Sequence, residues 1–321
     1  MTAVWVFAEL GADRPQDPAF ELLTAARDLG DEITAVAFGS GAAEAASTLG
    51  AYGATALYAG EDDVFTEHPG SAAHALAALA REHTPDLILF PMTYGGRDVA
   101  GRVQALLGST LMSNAVAVTA LDRARTEFAG GARLVDVHLE DPSPRLVLVR
   151  PRSIVASESG GGAAEVVAVE PGDLPAHATG PTVLERHEER AAGPDLGGAK
   201  VVIAGGRGLG GPDAFAMLQE LATAIGGAAV GASRAAVDAG WVPYRTQIGQ
   251  TGITVAPDVY LAFGISGALQ HVVGMKKAKR IVAVNKDADA PIMAMADLAV
   301  VGDLFQILPA LTDEIRRRAG A

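Results

Sequence analysis

Five short segments in the second half of the chain carry residues able to hold an anionic or flat aromatic ligand. The first is Gly205-Gly206-Arg207-Gly208-Leu209-Gly210-Gly211. Gly206, Gly208 and Gly211 fall in a G-x-G-x-x-G spacing behind the apolar run Lys200–Ala204. In that setting a dinucleotide pyrophosphate can meet a helix N-terminus. The second is Ser233-Arg234, a hydroxyl and a guanidinium directly after the run Ala228–Gly231. Those two residues suit a ligand crevice; taken alone they read more readily as an N-cap followed by a solvated cation. The third, Gln247-Ile248-Gly249-Gln250-Thr251-Gly252, offers amides, a hydroxyl and bare backbone in one loop. It suits the hydrogen-bonding edge of a heterocycle, or a polar turn. In the fourth, Val259–Phe263 runs into Gly264-Ile265-Ser266-Gly267-Ala268-Leu269-Gln270-His271. Backbone N–H groups at a helix start there would point above the strand, with His271 in the first turn as a donor or as a structural histidine. The fifth pairs Asn285-Lys286-Asp287 after Arg280–Val284 with Asp303-Leu304 after Leu298–Val301. A turn and a helix cap would account for the same residues.

Four of the segments follow an apolar, β-rich run, and the third follows Pro243-Tyr244-Arg245. Open α/β sheets bind ligands at the carboxyl ends of their strands, so co-location on one sheet edge says more than any single motif. Residues 201–271 also hold 13 of the 38 glycines, the residue that lets backbone approach a ligand closely.

The elements that must position these loops read as two α/β domains, each a mainly parallel sheet flanked by helices, the C-terminal one doubly wound. In the first half, strands at Val4–Glu9, Glu32–Phe38, Thr55–Tyr58 and Asp86–Pro91 alternate with helices at Pro18–Leu29, Ala42–Leu49, Ser71–Arg81 and Gly96–Leu107. Asp17 is the expected N-cap of the first helix, with Pro18 at its first position. Beyond Leu111–Val118, the short runs Glu127–Phe128, Arg133–Leu139 and Arg145–Val149 have no helix between them. They predict antiparallel strands added to one edge. Residues 1–170 form the expected N-terminal nucleotide-binding-like domain. A linker over 171–199 follows, within a stretch punctuated by Ser157–Gly162, Pro181, Glu185–Arg190 and Gly193-Pro194, and residues 200–321 form the second domain. There, helices are expected at Asp213–Ile225, from Gly267, and over Leu304–Arg318, with Pro309 kinking or dividing the last.

Composition removes several classes. The chain has 321 residues, enough for two domains at roughly 100–200 residues each. It has no cysteine, so disulfides, thiolate catalysis and Cys-ligated zinc or iron–sulfur sites are excluded. A net charge of -13 opposes attraction to a phosphate backbone, so no nucleic-acid partner is expected. No apolar run has the roughly 18 residues of a membrane span. Met1-Thr2-Ala3-Val4-Trp5 lacks a basic start and a small-residue cleavage site, so a cytoplasmic location is expected.

The run VYLAFGISGALQHVVGMKKAKRIVAVNKD, with GGRGLG, VGASRAAVDAG and QIGQTG upstream in the same order, closely resembles the α subunit of electron transfer flavoproteins. The resemblance covers about residues 200–321. It extends into the first half in pattern, at Gly95-Gly96-Arg97-Asp98-Val99-Ala100 and Arg150-Pro151-Arg152. Ile253 stands where the family usually has Lys, Met293 where Phe is common, and Leu269 where a β-branched residue is usual. Ser113-Asn114 replaces the more frequent Ser-Asp.

The resemblance implies an FAD-binding second domain and a flavin carrier rather than a substrate-converting enzyme. By position, the cofactor-binding residues would be Arg207, Ser233, Arg234, Gln247, Ile248, Gly249, Gln250, Thr251, Ser266, Gly267, Ala268, Leu269, Gln270, His271, Asn285, Asp303 and Leu304. Arg234 and His271 would stabilise negative charge on the reduced flavin. It further implies a heterodimer with a β subunit. Electrons would come from acyl-CoA-type dehydrogenases, as in fatty acid β-oxidation, and pass to a quinone oxidoreductase. Two other readings of the residues stand beside it. One is an NADP-linked oxidoreductase using Gly206-x-Gly208-x-x-Gly211 and Arg234. The other is a non-redox nucleotide-binding or sensor module built on the first domain.

Overall fold

The computed structural model describes residues 2–11, 14–68, 70–128, 133–140, 144–179, 184–185 and 194–320. The chain divides into two compact units, Met1–His187 and Glu188–Ala321. Pro181, Gly193 and most of Glu185–Arg190 lie outside the described residues.

In the first unit the elements are β1 (Ala3–Phe7), α1 (Asp17–Arg27), β2 (Glu32–Phe38), α2 (Ala46–Ala51), β3 (Ala56–Gly60), α3 (Val64–Glu67), α4 (Ser71–His83), β4 (Leu87–Pro91), α5 (Tyr94–Leu107), β5 (Leu111–Ala120), β6 (Arg123–Phe128), β7 (Arg133–His138), β8 (Arg145–Val149) and β9 (Glu165–Ala168). The sheet order is β7-β6-β5-β8-β4-β1-β2-β3-β9. Apolar clusters cover both faces, one including Leu23, Ala35 and Leu89, the other Trp5, Leu76 and Phe90.

Three local expectations need correction. Asp17 is the first helical residue, not the N-cap. Gln16 holds that place without a side-chain cap, and Asp17 pairs with Arg14 at 2.8 Å. The antiparallel addition is confined to β5, β6 and β7. Arg145–Val149 is no edge strand, since β8 lies between β4 and β5 and runs parallel to both. Its Leu146, Val147, Leu148 and Val149 are all buried, and an unbroken apolar run is what burial on both faces demands. The Ser157–Gly162 stretch is tied to its unit: Ser157 N–H donates to Thr24 Oγ1 at 3.0 Å, and Ser159 N–H to the Ala51 carbonyl at 2.7 Å.

A buried charge holds the antiparallel addition to the parallel part. The Arg150 guanidinium meets Glu127 Oε2 at 2.7 Å and donates to Asn114 Oδ1 at 2.9 and 3.0 Å. Asn114 itself is left-handed (φ 64°) at a register shift in β5, a conformation that asparagine tolerates.

The second unit contains β10 (Val201–Gly205), α6 (Ala214–Ile225), β11 (Ala228–Ala232), α7 (Arg234–Asp238), β12 (Val259–Phe263), α8 (Leu269–Val272), β13 (Arg280–Asn285), α9 (Pro291–Met295), β14 (Leu298–Val301) and α10 (Leu304–Ala319). Its sheet is wholly parallel, in the order β11-β10-β12-β13-β14. Val202, Tyr260 and Ile281 face one apolar layer and Ile203, Phe263 and Leu308 the other, so this sheet too is covered on both sides. Pro309 does not divide α10. It sits in the second turn, where the hydrogen bond it forfeits would end on the carbonyl of exposed Phe305, open to water.

Candidate functional site

Four of the five segments leave the carboxyl ends of strands of the second sheet, and the fifth, Gln247–Gly252, follows α7 and returns to the end of β11. From β10 the chain passes to β11 on one side and to β12 on the other, so the strand order reverses between β10 and β12. Ligands of doubly wound sheets sit at such a reversal.

Glycine decides how the loops meet there. Gly208 N–H donates to the Gly264 carbonyl at 3.0 Å, and Gly206 N–H to that of Phe263 at 2.9 Å. A Cβ on Gly206 would lie 2.3 Å from the Gly264 oxygen, and one on Gly208 would lie 2.7 Å from the Gly264 Cα. Gly264 itself has φ +62°. The first two glycines of the G-x-G-x-x-G run are therefore needed for loop-to-loop packing. Gly211 faces open space, and α6 begins only at Ala214. That geometry does not reproduce a dinucleotide turn, in which the third glycine serves helix packing.

Backbone hydrogen bonds link the remaining loops into one rim. Ser233 N–H reaches the Gly205 carbonyl and Ile248 N–H that of Ala232, each at 2.9 Å. Gln250 N–H donates to the Gln270 carbonyl at 2.7 Å. Ile292 N–H donates to the Ser266 carbonyl at 3.1 Å, and Asn285 Nδ2 to that of Ile265 at 2.9 Å. Gly302 N–H returns to the Asn285 carbonyl at 3.0 Å, carrying the network to Asp303. Asp303 caps α10 through Oδ1, which accepts from Phe305 N–H at 2.9 Å.

Within this rim the side chains differ in freedom. Arg207, Arg234, Gln250, Thr251, Ser266, Ala268, Leu269 and Gln270 are exposed. Arg234 holds Asp238 at 3.2 Å in an exposed pair worth about 0–1 kcal/mol, weak enough to yield to a stronger anion. Gln247 is buried and donates from Nε2 to Thr251 Oγ1 at 2.9 Å, which leaves the Thr251 hydroxyl hydrogen to donate elsewhere. Gly249 (φ +145°) and Gly267 (φ +83°) hold backbone against Gln270 and Ile292 at distances that no Cβ permits. Ile248 and Leu304 send their side chains into the core, so only their backbone groups can serve a ligand.

His271 is buried and stands 2.8 Å, through Nε2, from the hydroxyl of fully buried Tyr260. Burial lowers its pKa to about 4, while the Ile248 carbonyl beside the ring acts more weakly in the opposite sense. Burial also pushes the Tyr260 phenol well above its ordinary value. Tyr260 was not among the expected site residues. The signal was a tyrosine at a core-facing strand position, whose hydroxyl must find a partner.

Among the described residues, two buried side-chain polar atoms lack a hydrogen-bond partner: Ser233 Oγ and His271 Nδ1. Both belong to this rim. Buried polar atoms are nearly always satisfied, so two orphans in one rim mark a place built for a polar ligand. Hydroxyls, amides, guanidinium groups and loop N–H donors fit a dinucleotide carrying a flat ring.

A family model described as the electron transfer flavoprotein domain matches residues 4–174, and one described as the electron transfer flavoprotein FAD-binding domain matches residues 195–276. This chain belongs to the electron transfer flavoprotein α-subunit family. The α subunit from Syntrophomonas wolfei is 38% identical over 99% of this chain and 100% of its own. That from Mycobacterium leprae is 41% identical over 94% of each chain, and that from Mycobacterium tuberculosis 41% over the whole of both. Family membership makes FAD the cofactor of the second unit, the unit that carries the orphaned atoms.

The first unit has an equivalent crevice, and its own side chain enters it. Its strand order reverses between β1 and β4. There the Glu9 carboxylate accepts from the Thr93 hydroxyl and from the Gly96 backbone at the start of α5. Burial raises the Glu9 pKa against those hydrogen bonds. A Cβ on Gly95 would lie 2.2 Å from Glu9 Oε1. A carboxyl group already stands where a nucleotide phosphate would meet the helix, which disfavours a nucleotide-sensor reading of this unit. Among the described residues, no helix is long and apolar enough to cross a membrane.

Proposed function

We propose that this chain is the FAD-holding subunit of a heterodimeric electron carrier. It pairs with a β subunit, accepts electrons from acyl-CoA-type dehydrogenases and passes them to a quinone oxidoreductase. The observation that carries the reading is the pair of orphaned buried atoms, Ser233 Oγ and His271 Nδ1, in the rim of an FAD-binding domain. The relatives named above are themselves called electron transfer flavoprotein α subunits.

FAD, when bound, supplies reversible uptake of one or two electrons. The protein's part is to bind the group, orient it and tune its charge. Arg207 and the N–H groups of the loop after β12 would provide positive potential for a pyrophosphate. The Thr251 hydroxyl, whose oxygen accepts from the Gln247 amide, would donate to the bound group beside Gln250. Arg234 brings a permanent cation that favours added electrons. His271 contributes a neutral donor from a desolvated position. Asn285 and Asp303, linked through Gly302 at the far end of the rim, would hold the adenosine portion.

Co-expression with a β-type subunit, followed by a visible spectrum and a reductive titration, tests the proposal. Flavin absorbance that bleaches on reduction supports it. A colourless protein that stays colourless with added FAD overturns it. Arg234→Ala should keep its FAD yet take up the first electron at a potential lower by about 50–100 mV, the equivalent of 1–2 kcal/mol of lost charge stabilisation. An unchanged potential would remove Arg234 from the tuning role.

A further inference from the structure

We propose that Tyr260 is a positioning residue for the site: its hydroxyl donates to His271 Nε2 and so holds the imidazole in the tautomer that carries its proton on Nδ1. The inference rests on the FAD-site reading only for what the Nδ1–H then meets.

The phenol and the imidazole must match their donors and acceptors. Tyr260 lies on β12, fully buried in an apolar layer with Val202, Ile281 and Ala283. Its hydroxyl stands 2.8 Å from His271 Nε2. The rings are 6.2 Å apart and tilted by 57°, so the contact is made through the hydroxyl rather than by stacking. A phenol has one hydrogen to place, and a neutral imidazole has one N–H and one lone pair. If Nε2 carried the proton, it would donate to the phenol oxygen, and the hydroxyl hydrogen would have no acceptor in an apolar layer. If the phenol donates to Nε2, hydroxyl and ring nitrogen are both satisfied. The second arrangement wins by the cost of one unmade buried hydrogen bond.

That choice has a consequence at the rim. With Nε2 taken as acceptor, the one N–H of the ring is at Nδ1, the atom left without a partner in the fold. His271 then presents a donor, never a lone pair, to an electron-rich acceptor such as a ring carbonyl. Tyr260 reaches no ligand itself; it acts through His271.

The test uses the full chain labelled with 15N-histidine, with His271→Gln to assign the resonance. Long-range 1H–15N correlation at pH 7.5, without FAD, reads the tautomer directly. The wild-type chain should show His271 protonated at Nδ1, with a Tyr260 hydroxyl proton coupled to Nε2. Tyr260→Phe should shift the ring toward the Nε2–H form, and its FAD affinity should fall roughly three- to tenfold, the loss of one net hydrogen bond. In that background, His271→Gln should cost little more. An Nε2–H tautomer in the wild type, or an unchanged tautomer in a folded Tyr260→Phe, overturns the proposal. If the variant does not fold, the wild-type coupling still decides which atom carries the hydrogen. FAD titration of the wild type is the separate arm: absence of binding would defeat the site reading and leave the tautomer result standing.

Discussion

His271 carries a stability signature as well as a site role. Its pKa is lowered by burial to about 4 from 6.5, so below pH 6.5 the unfolded chain binds a proton that the folded chain refuses. Stability is therefore present above pH 6.5 and is lost as pH falls toward 4, by ~3 kcal/mol across the window. Denaturant unfolding of the second unit, followed through Trp241 in a Trp5→Phe chain, should show this loss. His271→Gln should flatten the slope between pH 6.5 and 4, and an equally steep slope in that variant would contradict the assignment. At the buried ion pair of the first unit, Glu127→Ala leaves the Arg150 guanidinium buried, with Asn114 as its remaining neutral acceptor. The expected cost is about 3–5 kcal/mol in the first unit, read through Trp5 in a Trp241→Phe chain. A change below 1 kcal/mol would mean that water reaches Arg150.

The loops at the element ends are where the glycine pattern acquires its meaning. A G-x-G-x-x-G run after a strand has two physical uses: close approach to a pyrophosphate, or close approach to another loop. Gly206 and Gly208 serve the second, against Gly264. Gly206→Ala should therefore cost about 1–3 kcal/mol through forced backbone movement and should lower FAD retention. Gly211→Ala, in open space without a positive φ, should stay within about 0.5 kcal/mol of the parent and keep its FAD. Thermal midpoints and flavin content of the two purified variants decide the matter. Loss of FAD with Gly211→Ala would restore the dinucleotide-turn reading. The same logic applies at Gly249 and Gly274, where one backbone lies against the other.

Across the whole molecule, each unit has its own sheet and its own pair of apolar layers. Each also holds one tryptophan, Trp5 in the first unit and Trp241 in the second. A ligand that binds only the folded second unit should raise the stability reported by Trp241, by ~2.7 kcal/mol at a hundredfold excess over Kd. The Trp5 transition should move much less. Single-tryptophan chains unfolded with and without FAD give both readings, and a larger shift at Trp5 would place the ligand in the first unit. The crevice between β1 and β4 already holds the Glu9 carboxylate, which is the structural ground for this asymmetry.

Much of this architecture was legible in the residues. Strand-after-helix alternation specified parallel sheets, because side-chain period and apolar run length are local properties. Val259–Phe263 and Leu298–Val301 begin and end where the pattern placed them. The loop chemistry was legible too, since strand ends point one way in a parallel sheet and their loops must share an edge. Other features depended on non-local pairing. The run Arg145–Val149 shows burial on both faces, but its place between β4 and β5 depends on partners 30 and more residues away. The burial pattern could place Tyr260 inward, yet only the fold brought its hydroxyl to His271, eleven residues on. The glycine spacing was visible, but its use was decided by the approach of Gly264 from another strand. Composition and periodicity determine what a segment can become; which donor meets which acceptor is settled only when distant segments pack and water is excluded.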